Sequence, residues 1–173
     1  LTVNGSTFTD NFSLRTNAAG GAIATIGGTV VINNSTFTNN RINVAGGQGG
    51  AIANFSGNLT LNTCTLVNNQ ALEVGGGVVV FDGNTQIINS TFNGNSATTG
   101  GGLHSSTSAT NIVNCTFTAN QANQGGGLNG SASVRNSIIA GNLANFGPDA
   151  ATFMTSLGHN LVGIGNNGNG FTN

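Results

Sequence analysis

Six segments of the chain align with one another without gaps, and a repeat of this kind limits the fold more sharply than any single motif. They begin at Leu1, Val30, Leu59, Thr85, Thr110 and Ala132, so successive starts lie 29, 29, 26, 25 and 22 residues apart. A glycine motif recurs between them: GGAI at Gly20 and Gly49, GGGV at Gly75, GGGL at Gly100 and Gly125, with no counterpart after the sixth segment. Each period is long enough for three short strands and three bends. Gly (29) and Asn (30) together supply 59 of 173 residues, and both are poor helix formers. Helical hairpins are therefore excluded.

Within a unit, apolar residues alternate with period two, as a strand requires. The third position holds Val3, Ile32, Leu61, Ile87, Ile112 and Val134. The eighth holds Phe8, Phe37, Leu66, Phe92, Phe117 and Ile139, and the glycine motif ends in Ile23, Ile52, Val78, Leu103 and Leu128. These three columns are predicted to face inward. One unit cannot bury its apolar side alone, but stacked units bury a continuous core. Phe above Phe at about 4.8 Å, the spacing of paired strands, gives an aromatic stack along the axis. The expected fold is all-β: a right-handed parallel β-helix of about six regular three-strand turns over residues 1–142. Residues 143–173 are expected to form an irregular final turn and an open-ended tail. Right-handedness follows from the crossover rule for parallel strands.

One polar position never varies: Asn11, Asn40, Asn69, Asn95, Asn120 and Asn142. Asn tolerates left-handed backbone geometry, so a bend suits it. Stacked at one corner, each amide can donate to the carbonyl of the next and form a ladder. The paired glycines fit a strained bend or a close backbone approach. A phosphate cradle would need a helix behind it, and none is predicted.

The stretch between ladder Asn and glycine motif has eight residues in units one and two, five in the third, and four in the next two. The bend into the following unit is nearly constant. Solenoid insertions collect on one face, often the binding face. The longer loops carry Phe12, Leu14, Arg15, Arg41, Ile42, Val44, Leu72 and Glu73, which are candidate partner-binding residues. The competing expectation is that the apolar ones fold back over the solenoid wall.

Only 4% of the chain is charged, with three Arg and no Lys. Nucleic acid is excluded as a partner, because phosphates need clustered cations. No run of about 18 apolar residues spans a bilayer. Nor does a basic residue lead a signal segment at Leu1. Stacked outward positions explain the low charge, since like charges repeated every coil would repel, whereas Asn and Thr can hydrogen-bond their own copies.

The tetrapeptides FTDN at Phe8, FTNN at Phe37, FNGN at Phe92 and FTAN at Phe117, paired with GGAI at Gly20 and Gly49, resemble the repeat of the polymorphic outer-membrane proteins. The passengers of those proteins are autotransporter adhesins. The third unit departs, reading LVNN, and later glycine motifs read GGGV or GGGL. The wider pattern, with the segment from Asn136 to Gly163, is similar to secreted bacterial right-handed parallel β-helix repeat proteins. The resemblance implies an extracellular or cell-surface location and a structural or adhesive role. It also implies that the chain is a piece of a longer protein, or that copies stack end to end through exposed strand edges. A glycan or a cell-surface receptor is the candidate outside partner.

Parallel β-helices also cleave polysaccharides, which needs paired carboxylates or carboxylates holding a cation. Asp10, Glu73, Asp82 and Asp149 share no column on neighbouring units; His104 should face outward, and His159 lies in the tail. No enzyme activity, cofactor or metal is expected. Cys64 and Cys115 share the inward column of Ser6, Ser35, Ser90 and Ser137. Two strand spacings put them about 9–10 Å apart, too far for a disulfide, so two free buried thiols are predicted. Thr pairs at 7 and 9, 36 and 38, and 116 and 118 give one face a likeness to ice-binding solenoids, against which stands the ordinary preference of Thr for exposed strands. Nine Asn-x-Ser/Thr triplets, including Asn4, Asn33, Asn58 and Asn89, follow from composition alone.

Overall fold

Successive repeats lie on top of one another, each joined to the next by parallel pairing. The computed structural model describes residues 1–107 and 109–164, with the backbone of Phe171–Thr172. It is a parallel β-solenoid of about six coils, and the described residues contain no helix. The expected columns are in register. Val3 pairs with Ile32, then Leu61, Ile87, Ile112 and Val134 follow in turn. The Phe8 column forms a seven-stranded sheet running from Thr7–Thr9 to Leu161–Val162. The Ile23 column runs through Ile52, Val78, Leu103 and Leu128. Their side chains form one core in which Phe37, Phe92 and Phe117 are fully buried. Phe8 stacks on Phe37 at 4.7 Å and Phe92 on Phe117 at 4.4 Å. Leu66 interrupts the aromatic stack but keeps the register.

Single left-handed residues make the sharp corners on either side of the TFT strand. Asn34, Asn89 and Asn114 (φ 51, 51 and 56°) precede it; Asp10, Asn39, Asn68 and Ala119 (φ 56, 56, 54 and 55°) follow it. This corrects the sequence expectation, which put the ladder Asn itself at the bend. The residue before the ladder Asn takes the left-handed turn, and that turn aims the next side chain inward.

Two glycines serve two purposes at the third corner. Gly49 (φ +67°) takes a conformation that L side chains resist, and a Cβ there would strike the Ile52 carbonyl. A Cβ on Gly101 would lie 2.5 Å from the carbonyl oxygens of both Gln121 and Gly126 in the next coil. The first glycine is needed for conformation, the second for the approach of the coil that follows.

Two features differ from the sequence reading. The connection from glycine motif to next unit is not a bend in the first coils: Ile23–Asn33 and Ile52–Asn62 are continuous 11-residue strands, the pair bulged between Thr25 and Thr29. The glycine motif thought missing after the sixth segment is present as Gly147–Ala150, reading GPDA. Gly147 has φ +56°, and Ala150 pairs with Leu128. Pairing then continues, Met154–Ser156 on Ala132–Val134 and Leu161–Val162 on Ile138–Ile139. The tail from residue 165, expected to be open-ended, lies outside the described residues apart from strand Phe171–Thr172, which pairs with Met154–Thr155.

Candidate functional site

The inward corner is occupied by a complete asparagine ladder. Asn40 donates its backbone N–H (3.0 Å) and its Nδ2–H (2.9 Å) to Asn69 Oδ1, and its second Nδ2 hydrogen to Phe8 O (3.0 Å). The same three bonds recur at Asn69, Asn95 and Asn120. Asn40, Asn69, Asn95 and Asn120 are completely buried, Asn142 nearly so, and Asn11 is exposed at the first coil. Each amide oxygen accepts two bonds and each amide nitrogen donates two, so a primary amide is satisfied in the core.

At its far end the ladder meets a carboxylate. Asn142 donates its N–H (2.9 Å) and Nδ2–H (2.8 Å) to Asp149 Oδ1, and Ile164 N–H donates to Asp149 Oδ2. Asp149 is 2% exposed. Asp149, from the same coil as Asn142, takes the place that an Asn of the following coil holds at each earlier step. A Cβ on Gly163 would collide with Asp149 Oδ2. The sequence reading treated Asp149 as an isolated tail acid; the signal that it was a cap was its alignment with the third glycine of the motif.

The loop residues separate into two groups. Phe12, Leu14, Arg15, Arg41, Leu72 and Glu73 are exposed, Arg41 lying over the Phe12 ring at 5.5 Å. Glu73 Oε1 accepts from Gly46 N–H at 2.8 Å, tying the second long loop to the third. Ile42 is fully buried and Val44 half-buried. Ile42 therefore packs in the wall and belongs to no contact surface: in the strand Arg41–Ile42, alternation turns Arg41 out and Ile42 in.

Where these loops shorten, a trough opens along the solenoid. Two adjoining hollows of about 320 and 390 Å³ share Gln121, Ala122 and Asn123. Ala71, Ala97, Ala122 and Ala144 form the floor, one from each successive coil. Gln70, Ser96, Gln121 and Leu143 stand along one wall, with Leu72, Thr98, Asn123 and Asn145 along the other, so that an exposed leucine flanks each end. Among the described residues no charged side chain lines it. The sequence reading recorded the falling loop lengths but not the trough, which is apparent only when the coils are superposed.

The remaining chemistry-bearing residues lie apart from that trough. His104 points outward, half-buried, its Nδ1 3.0 Å from Asn129 Oδ1 and its Nε2 3.2 Å from Ser106 Oγ; its ring meets Phe81, which stacks on Phe55. Burial lowers its pKa below the ordinary 6.5, and the Asn129 contact opposes that shift. Cys64 and Cys115 are free and buried. Burial raises both thiols, that of Cys115 to about 11, while backbone hydrogen bonding at Ser35 and Asn62 beside Cys64, and at Ser90 and Val113 beside Cys115, pulls the other way. Among the described residues no three His, Cys, Asp or Glu side chains gather as a metal site. Thr7, Thr36, Thr65, Thr91 and Thr116 form one in-register column, whereas the second column passes through Val67 and Asn93.

No protein-family model matches the chain, and no curated protein or solved structure is found to match it.

Proposed function

We propose that this chain is a non-catalytic structural protein of the extracellular space or cell surface: a rigid solenoid stalk, adhesin segment or self-stacking fibre subunit. The observation that carries the reading is the unbroken ladder from Asn11 to Asp149, buried from Asn40 onward, beside three in-register apolar columns. Extending such a rod must break several bonds per coil at once. The location is supported by the resemblance of the FxxN and GGAI motifs to autotransporter passenger repeats, and by a surface of Asn and Thr nearly free of charge. No helix of the described residues is long and apolar enough to cross a membrane.

Electron microscopy of native material together with protease shaving of intact source cells tests the reading. Rods or filaments accessible to protease are expected. A monodisperse monomer at high concentration would remove the fibre option, protection of the chain inside cells would remove the location, and depolymerisation of any polysaccharide by purified protein would remove the non-catalytic assignment.

A further inference from the structure

We infer that the trough over coils three to six is a binding site for an uncharged linear polysaccharide. Its shape arises from a step in loop length. After Asn69 the loop falls from eight residues to five, then four, while the longer loop stays pinned by Gly46 to Glu73 and by Asn43 Nδ2 to Gln70 Oε1 (3.0 Å). The step leaves a floor in which Ala97 and Ala144 are half-buried and Ala71 and Ala122 lie buried beneath the surface.

The walls select the ligand by chemistry. Ser96, Gln121, Asn123 and Asn145 make no side-chain hydrogen bond within the described residues, unlike the stacked pairs Asn33–Asn4 (2.9 Å) and Asn114–Asn89 (3.1 Å) on other corners. Primary amides and hydroxyls both donate and accept, which matches the dual character of sugar hydroxyls. A phosphate- or carboxylate-bearing polymer would find no cation in the lining. A protein partner would call for aromatic or Arg anchors at the centre; the lining holds neither, its large apolar side chains being Leu72 and Leu143 at the two ends. A peptide strand has no edge to pair with, because the backbone here is already bonded from coil to coil, Ala97 N–H to Gln121 O and Ala122 N–H to Leu143 O. What remains is a neutral polyhydroxylated chain, its apolar ring faces on Ala97, Ala144 and the flanking Leu72 and Leu143, its hydroxyls on the polar side chains of the walls. Equivalent groups recur at about the 4.8 Å strand spacing, so successive coils can contact successive sugars of one chain.

This inference goes beyond the rod assignment and stands independently of it: a rod that binds no glycan defeats only the trough, and a glycan-binding monomer defeats only the fibre. The test is affinity electrophoresis and calorimetry of the full chain with soluble glucan, mannan and N-acetylglucosamine oligomers of increasing length, with polygalacturonate as the acidic control. Binding is expected to at least one neutral series, about tenfold tighter for four sugars than for two. The Gln121→Ala/Asn123→Ala double variant, changed only at exposed positions, should lose about tenfold or more, while Gln86→Ala on another face should lose nothing. Retention by no neutral glycan, preference for polygalacturonate, or equal binding by the double variant would each overturn the site.

Discussion

Asn95 shows how much one side chain can hold in this architecture. Its Oδ1 accepts from Asn69 N–H and Nδ2–H, while its Nδ2 donates to Asn120 Oδ1 and Leu66 O. Asn95→Ala removes these four bonds; Asn120 Oδ1 keeps the residue-95 N–H, but Asn69 N–H and one Asn69 Nδ2 hydrogen lose their acceptor, and at about 1–3 kcal/mol for each buried group left unpaired denaturant unfolding should show a loss of about 2–6 kcal/mol. Asp149→Asn is a subtler change. It keeps an oxygen for Asn142, but sets an NH2 group against Ile164 N–H, donor against donor. A loss of about 1–3 kcal/mol is expected from the same measurement. The thiols report the same burial. Native protein should resist alkylation at Cys64 and Cys115 and react at both once unfolded. Because folding raises the Cys115 pKa from 9.0 to about 11, the unfolded chain releases a proton in that interval that the folded chain keeps. The Cys115 contribution to stability is therefore complete below pH 9 and falls as pH rises to about 11, a dependence that Cys115→Ser should flatten. Residue by residue, the ladder positions and inward columns were legible because identity at a fixed period has one simple cause, stacking. Asp149 was not, since it caps the ladder from within the coil of Asn142, and a cap that occurs once leaves no periodic trace.

At the scale of the strand and corner, side chains are chosen by what the neighbouring coil permits. The TFT strands need Phe inside and a left-handed residue at each end, which explains why Asn, Asp and Gly cluster around them. The glycine corner is harder to vary. Gly101→Ala would place a methyl 2.5 Å from two carbonyl oxygens of the next coil, so a loss of about 1–3 kcal/mol from overpacking is expected. The loss should be accompanied by faster amide exchange at Gly100–Leu103 and Gly125–Leu128, the two arcs forced apart. The sixth corner was illegible in the sequence because Pro148 and Asp149 replace two glycines. The backbone retains the motif through Gly147 alone. Pro148 also lacks the N–H that Gly50 and Gly101 give to the first glycine of the following coil, so the arc is held one residue on, by Asp149 N–H to Ile164 O (2.9 Å).

Across the whole molecule, stability is a sum over coils and their interfaces. Phe92→Ala, in the middle of the core, should cost about 3–5 kcal/mol and unzip the solenoid into two parts rather than unfold it as one unit. Hydrogen exchange would then show coils one to three and five to six opening with different free energies. The sequence conveyed the architecture at this scale because a solenoid is specified by its period. The trough was hidden because it belongs to no single unit, only to the step between units of unequal loop length. A last consequence follows from the ladder. In every step the earlier coil donates and the later coil accepts, so all the amides point one way. That shared sense makes the stack a vector: along its axis the two directions are chemically distinct, donors facing one way and acceptors the other.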